Sequence, residues 1–471
     1  VDGAVETIIN VLRYFDIEFD EGAGFDDTDP RNAYGPYFQR QRVEIYHTYA
    51  KSLVERGLAY PCFCTEEELD KVRAKQEEDK VLTGYYGEYA TCRNLSYEEV
   101  EANIKAGKPY VLRLRSQGSP DKEITFVDAI KGEIKLPENI HDIVLLKKDG
   151  IPTYHFAHAI DDHLMRTTVV VRGGEWLASA PIHYELFHVL GFKMPEYAHT
   201  AHLMKFDEET GGKRKLSKRK DPELSLDYYR QDGYHPYCMK VYLMTLLNSN
   251  FEEWHEQFPD KDINEFPFSI EKMSQSGALF DKDKLHNICK NELSKLSEDE
   301  LYDFLYNWAS ENAPEKKDMW FADKEKMLAI LRLYMGIGMK RRRKDFMYAK
   351  QIFNMISYFF DGESTDEKDE FRLDMSEVKN ILNDYMAAYN HDDDNSAWFN
   401  KLKEIADKHG YASDMKAYKA SPESFKGNVS DIAEVVRIAV TGRANTPDLW
   451  SIVHIMGEEQ MKQRIEKVIN R

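Results

Sequence analysis

Apolar positions in the first sixty residues recur at intervals of three and four. Val5, Ile8, Ile9, Leu12 and Phe15 form one stripe, and Val43, Tyr46, Tyr49, Leu53 and Val54 form another. Both carry the spacing of amphipathic helices. Gly57 supplies a stop for the second, and the stretch from Asp26 to Pro36 reads as a polar loop with Asp-Pro and Gly-Pro breaks. The period then changes. A charged helix follows Cys62-Phe63-Cys64, a Tyr/Gly loop leads to Cys92, and Val111-Leu112-Arg113-Leu114-Arg115 alternates as a half-buried strand does. Ile143–Leu146 is an apolar run closed by Asp149-Gly150-Ile151-Pro152. The β-branched run Thr167–Val171 predicts a strand buried on both faces, leading through Arg172-Gly173-Gly174 into a helix that stops near Gly191. Strand, glycine loop, helix is the order of a doubly wound sheet, which takes ligand at its strand ends. Beyond residue 221 strand signals nearly vanish, with polar loops at 361–370 and 391–396, and no internal repeat occurs.

The pattern therefore predicts an α/β part followed by an all-α part, with boundaries at 60/61, 140/141, 205/206 and 300/301. A length of 471 residues leaves room for such a division, and 42% hydrophobic with 12% aromatic residues suffices for packed cores. No apolar run approaches the roughly 20 residues of a bilayer span, and no signal peptide is visible. Five cysteines in this length do not make a disulfide framework, so a cytoplasmic setting is expected. The formal net charge of −19 opposes general binding of nucleic acid and leaves any such contact to local basic patches.

Two such patches stand out. Residues 213–220 read Lys213-Arg214-Lys215-Leu216-Ser217-Lys218-Arg219-Lys220, six of the eight basic. The run suits a polyanion; a solvated loop or a localisation patch is the plainer reading. Lys340-Arg341-Arg342-Arg343-Lys344 lies in the helical half, as an RNA contact or as cations at a helix C-terminus. Arg113 and Arg115 share one strand face and suit either RNA or an internal ion pair. Cys62, Cys64 and Cys92 supply three thiolates for tetrahedral zinc, or are simply three free cysteines.

Several short segments, in this order, resemble the bacterial glutamyl-tRNA synthetases, a class I aminoacyl-tRNA synthetase family. They are Gly35-Pro36-Tyr37, Gly150-Ile151-Pro152-Thr153-Tyr154-His155-Phe156-Ala157, Asp161-Asp162-His163, Arg172-Gly173-Gly174-Glu175-Trp176-Leu177, Lys215-Leu216-Ser217-Lys218-Arg219, Phe280-Asp281 with Lys284-Leu285, and Thr441-Gly442 with Thr446-Pro447. The resemblance implies a Rossmann-like catalytic domain in two halves (1–60 and 141–205) around an inserted α+β acceptor-binding module (61–140). A signature loop with a helical stem-contact domain (206–300) and a helical anticodon-binding domain (301–471) would follow. It implies ATP-dependent activation of L-glutamate to glutamyl-adenylate and transfer to the 3′ end of tRNA(Glu), by a monomer, with ATP taken as its Mg2+ complex. Lys218 and Arg219 would meet the phosphates with Trp176 beside ATP, while Lys215 and Ser217 support loop closure. Tyr154, His158 and Arg172 would hold glutamate; a structural salt bridge for Arg172 and a core position for Tyr154 are the alternatives. Some members carry zinc in the inserted module. Here Asn94 stands where a fourth His ligand is expected, and Tyr86 is a conceivable substitute. His158 stands where relatives often have Asn, and Gly174 where an acidic residue is common.

The family's opening strand and His-Ile-Gly-His-like helix start would precede Val1, so this polypeptide alone is expected not to form the adenylate. A tRNA-binding fragment without activity, or a relative of the glutaminyl enzyme, are the competing readings; a helical anticodon half disfavours the latter. Replacing Arg341, Arg342 and Arg343 together by Ala is expected to weaken tRNA binding. The slope of log affinity against log salt should become shallower by about 2 to 3, measured by filter binding across a salt series.

Overall fold

The computed structural model describes residues 3–23, 30–207, 209–217, 219–360 and 369–471. Lys218 lies outside the described residues. The chain divides into two compact units, one of residues 1–217 with 243–280, the other of 218–242 with 281–471.

The first unit carries ten strands: β1 (Ala59–Cys62), β2 (Val111–Leu114), β3 (Glu123–Asp128), β4 (Gly132–Pro137), β5 (Val144–Leu146), β6 (Val169–Gly173), β7 (Glu196–Thr200), β8 (Leu203–Asp207), β9 (Gly212–Lys215) and β10 (Ala278–Leu279). They form three sheets, ordered β1-β2-β5, β10-β8-β9 and β4-β3-β7-β6. Six of its helices concern the site and its surroundings: α1 (Ala4–Tyr14), α2 (Val43–Glu55), α3 (Glu66–Glu78), α4 (Tyr97–Lys105), α5 (Tyr154–Leu164) and α6 (Ala180–Leu190). Helices α3 and α4 each open on a capping box, Thr65 with Glu68 and Ser96 with Glu99. There the hydroxyl accepts from the third backbone N–H and the carboxylate accepts from the cap's own. Helix α6 ends on Gly191 at φ 73, a left-handed position that a side chain would strain.

One apolar core joins α2, α5 and α6 to the first sheet. Tyr46, Ala50 and Leu53 meet Leu112, Leu114 and Leu145, with Phe156, Ala159 and Ile160 from α5 and Leu186, Phe187 and Val189 from α6. Buried polar groups in it are paired. Arg42, 4% exposed, donates from Nε to Asp161 Oδ1 at 2.9 Å, and the Tyr46 hydroxyl donates to Asp161 Oδ2 at 2.7 Å.

Three details depart from the sequence reading. Strand β2 is central rather than half-buried, because β1 and β5 flank it and Leu112, Arg113 and Leu114 are all buried. Strand β6 is not covered on both faces: it ends the row β4-β3-β7-β6, and Val171 is 55% exposed. A β-branched run reports strand propensity, which an edge strand satisfies equally. The segment 61–140 is hydrogen-bonded into its flanks, since β2 pairs with β1 and β5 while β3 pairs in parallel with β7.

The second unit is helical throughout its described residues. Glu298–Asn312 packs on Lys324–Met335, and Met375–Ala388, Asn395–His409, Val429–Thr441 and Glu458–Ile469 form a bundle. Trp320 stacks on Phe360 with ring centroids 4.3 Å apart. The motif residues Asp281 and Gly442 prove to be caps, Asp281 accepting from the Lys284 N–H and Gly442 ending its helix at φ 73.

Candidate functional site

Strands β3, β7 and β6 run parallel, and their carboxyl ends bring three polar residues side by side: Asp128, His199 and Arg172. Position alone makes this the ligand end of such a sheet. Arg172 is 9% exposed, and its guanidinium lies over the Tyr197 ring at 4.3 Å. Its Nε donates to His199 Nε2 at 2.9 Å and its Nη1 to His183 Nδ1 at 2.8 Å. Arginine has no acceptor, so both imidazole nitrogens must be unprotonated. His199 therefore carries its proton on Nδ1 and donates it to Asp128 Oδ2 at 2.6 Å, with both side chains fully buried. His183 carries its proton on Nε2 and gives it to His155 Nδ1 at 2.8 Å.

Among the described residues, Nη2 of Arg172 is buried without a hydrogen-bond partner. A buried orphan donor on a cation is costly, and a carboxylate is the partner a guanidinium fits. Tyr154 stands at this point. Its phenol interacts with the guanidinium, which opposes the rise in its pKa caused by burial. Its ring packs on Trp176 at 4.5 Å and lies parallel to His158 at 5.6 Å. His158 Nε2 meets the Tyr197 hydroxyl at 2.9 Å, and its Nδ1 lies 2.6 Å from Asp162 Oδ2. The four residues expected to gather around an amino acid and ATP thus share one wall, built from the first turns of α5, the end of β6 and the loop after it. That loop is held close: a Cβ on Gly174 would come within 3.1 Å of the Thr200 carbonyl oxygen.

The first half of the basic run is described by β9, paired antiparallel to β8 with Met204 opposite Lys215. Leu216, 2% exposed, anchors it, its N–H donating to the Leu203 carbonyl. Lys215 Nζ donates to His202 Nε2 at 3.4 Å, and His202 Nδ1 lies 3.3 Å from Glu175 Oε2. This ties Lys215 to the residue beside Trp176. Ser217 closes the first unit and Arg219 belongs to the second.

Cys62, Cys64 and Cys92 converge, their sulfurs all within 4.8 Å of one another. Tyr85, not Tyr86, faces them. The Tyr85 hydroxyl is 3.4 Å from Cys62 Sγ and 3.2 Å from Cys64 Sγ and accepts from the Cys92 N–H, whereas the Tyr86 hydroxyl donates to the Leu82 carbonyl at 2.6 Å. Adjacent residues of an extended segment point oppositely, which reverses the Tyr86 expectation. Hydrogen bonds from Cys64 and Cys92 hold the Cys62 thiol well below its ordinary pKa. Three sulfurs at this spacing supply three of the four donors of a tetrahedral zinc site.

Among the arginines expected to touch RNA, Arg113 is corrected. It is 8% exposed, donates from Nη1 to the Asp142 carbonyl at 2.9 Å and lies over the Tyr85 ring at 4.0 Å. Consecutive residues of β2 are buried, so both its faces are covered and the arginine packs inward. Arg115 lies over the Tyr60 ring at 4.9 Å. Arg341 and Arg342 are exposed in a loop after the Lys324–Met335 helix, and Arg343 pairs with Asp345 at 2.6 Å. Asp128, His155, His183 and His199 escaped the sequence reading; only the strand-end positions of Asp128 and His199 offered a signal. Hollows of about 420 Å3 beside α1 and 610 Å3 along α2 share no lining residue with the Arg172 constellation.

Residues 1–287 match the family model for tRNA synthetases class I (E and Q), catalytic domain, and residues 300–469 match that for an anticodon binding domain. The chain is 52% identical over 470 residues to a glutamate–tRNA ligase of Acetivibrio thermocellus, covering all of this chain and 85% of that one. It is 46% identical over 474 residues to a glutamate–tRNA ligase of Clostridium perfringens, again covering 100% and 85%. A solved glutamate–tRNA ligase from Elizabethkingia meningosepticum, in complex with its amino acid, superposes with a TM-score of 0.73 at 25% identity, covering 100% of this chain and 90% of that one.

Burial depresses the pKa of His155 and His199, and carries that of His183 down to about 2. These imidazoles stay neutral in the fold, while in the unfolded chain they take a proton near pH 6.5. Stability is therefore full above about pH 7 and falls as pH drops through the unfolded value, by up to about 1.4 kcal/mol per pH unit for each histidine. Urea midpoints at pH 7.5, 6.5 and 5.5 should decline, and His183→Gln should flatten the decline.

Proposed function

Since the chain belongs to the class I tRNA synthetases of the E and Q type, we propose that it is a glutamate–tRNA ligase whose Arg172 grips the substrate carboxylate. L-Glutamate attacks the α-phosphorus of ATP to give glutamyl-adenylate and pyrophosphate, and the glutamyl group then passes to the 3′ end of tRNA(Glu). No covalent enzyme intermediate is needed, so catalysis is positioning and charge stabilisation. The observation that carries the reading is the buried guanidinium with one unpartnered nitrogen at the carboxyl end of β6, beside Tyr154.

The remaining roles follow from the wall around it. Tyr154 and His158 border the amino acid, and Trp176 borders the nucleotide. The resemblance of the signature loop assigns the ATP phosphates, whose Mg2+ travels with the nucleotide, to Lys215 and Ser217, and gives the same role to Lys218, which lies outside the described residues, and to Arg219. A compact ammonium on a loop suits charge that migrates to departing pyrophosphate. Arg341 and Arg342, both exposed, are the tRNA contacts of the helical half, and Arg115 remains a contact for the acceptor end. Among the described residues no helix is long and apolar enough to cross a membrane; a cytoplasmic, monomeric enzyme is what the family resemblance implies. Zinc would be held by Cys62, Cys64 and Cys92 with Tyr85 as fourth neighbour, supplying a structural cross-link rather than chemistry.

Glutamate-dependent ATP–pyrophosphate exchange tests the reading. Arg172→Ala should lower kcat/KM for glutamate by about 100-fold or more and leave the KM for ATP within about twofold. Unaltered glutamate dependence would refute the role of Arg172. Protein purified without chelator should carry about one zinc per chain by atomic emission, and Cys92→Ser should lower that content and the melting temperature together.

A further inference from the structure

Arg172 is a buried cation whose Nε and Nη1 donate to neutral imidazoles, and among the described residues no carboxylate is in ion-pair contact with it. The nearest acid on its Nε side, Asp128, is one histidine away. Asp128 is itself saturated. Its Oδ1 accepts from the Ile130 N–H at 3.0 Å and the Lys131 N–H at 2.9 Å, and its Oδ2 accepts from His199 Nδ1 at 2.6 Å and the His199 N–H at 3.1 Å. The carboxylate thus has one free choice to impose, the tautomer of His199. With the proton fixed on Nδ1, Nε2 can only accept, and Arg172 Nε is the donor in reach.

We infer that Asp128 is a positioning residue for glutamate. Through the His199 tautomer it locks the Arg172 guanidinium so that Nη2 stays turned to the substrate carboxylate. The inference rests on the reading of Arg172 given above. It also explains why the arginine is left without a carboxylate of its own. A direct ion pair would occupy the fork and neutralise the charge, whereas an acceptor imidazole fixes its orientation and leaves the positive charge for the ligand. The α-carboxylate is the one that attacks ATP, so the carboxylate held here is that of the side chain, and glutamine's neutral amide in its place would leave the buried cation uncompensated. His183, bonded to Nη1 and backed by His155, fixes the second nitrogen in the same way.

Asp128→Asn gives a distinctive outcome. The two backbone donors on Oδ1 hold the amide oxygen in that position, so the amide NH2 faces His199. It donates to Nδ1, the ring proton moves to Nε2, and Nε2–H then confronts Arg172 Nε–H. A histidine in the wrong tautomer is costly even where the geometry is kept. In the native chain, nitrogen NMR of labelled histidine should show His199 Nε2 unprotonated, and in Asp128→Asn protonated. The KM for glutamate should rise about tenfold or more, with that for ATP changed less than about twofold. His199→Gln added to Asp128→Asn supplies an amide oxygen at the Nε2 position without any tautomer and should recover most of the loss.

A protonated Nε2 in the native chain would overturn the inference whether or not any variant folds. So would an Asp128→Asn protein with unchanged glutamate KM, or a folded double variant with no recovery, which would make Asp128 merely structural. Arg172→Lys separates the two levels. If it too leaves the glutamate KM unchanged, the reading of the site fails; if it raises the KM while Asp128→Asn does not, only the positioning role fails.

Discussion

A guanidinium held under cover at the carboxyl end of β6 sets the terms for everything around it. Arg172 cannot accept a hydrogen bond and stays charged at any physiological pH. Each group that touches it must therefore be an acceptor, and burial makes those groups neutral imidazoles rather than cations. The residues that satisfy it come from separate parts of the chain: His199 and Asp128 from neighbouring parallel strands, His183 from α6 and His155 from α5. The sheet supplies registry, since parallel strands put their last residues side by side, and the two helices bring the remaining imidazoles against that edge. The loop after β6 then carries Trp176 to Tyr154 and Glu175 toward His202 and Lys215. The loop after β6 thus connects the wall around Arg172 to the start of the cationic stretch.

The thiol cluster illustrates the same dependence on backbone geometry. Cys62 ends β1 and Cys92 lies in a turn thirty residues later, and what joins them is Tyr85, buried at 7% and bonded to all three cysteines. Asp142 extends that order. It accepts from the Tyr60 hydroxyl at 2.5 Å and the Ser116 N–H at 2.9 Å, and pairs with Arg93. Arg113, for which the sequence left RNA contact and an internal ion pair open, belongs to this interior network. Its strand became central because β5 pairs on its far side, and an arginine in that setting lays its stem along Tyr85 and gives its hydrogen bond to a backbone carbonyl.

Much of the site was legible from residue order. Tyr154, His158, Arg172 and Trp176 were singled out from short segments, and the structure gathers them on one wall. Lys215 was singled out from charge density, and it reaches that wall through His202. The helical half was legible because a 3.6-residue period persists from residue 221 onward, with caps such as Asp281 and Gly442 in the motif positions. Exposure was less legible. Val171 looked buried because β-branched residues favour strands wherever they lie, and Tyr86 looked like a ligand because sequence distance cannot say which of two adjacent tyrosines faces inward.

By itself, the amino-acid order determined the two-part architecture, the family and the candidate residues proposed for glutamate and phosphate, because periodicity, caps and short motifs are local properties written in neighbouring positions. Only the tertiary structure decided which partners surround Arg172 and which tautomers they adopt. Asp128, His155, His183 and His199 are spread over some seventy positions and share no motif. Their association is created by strand register and helix packing, where one donor-only group fixes the protons of every ring it touches.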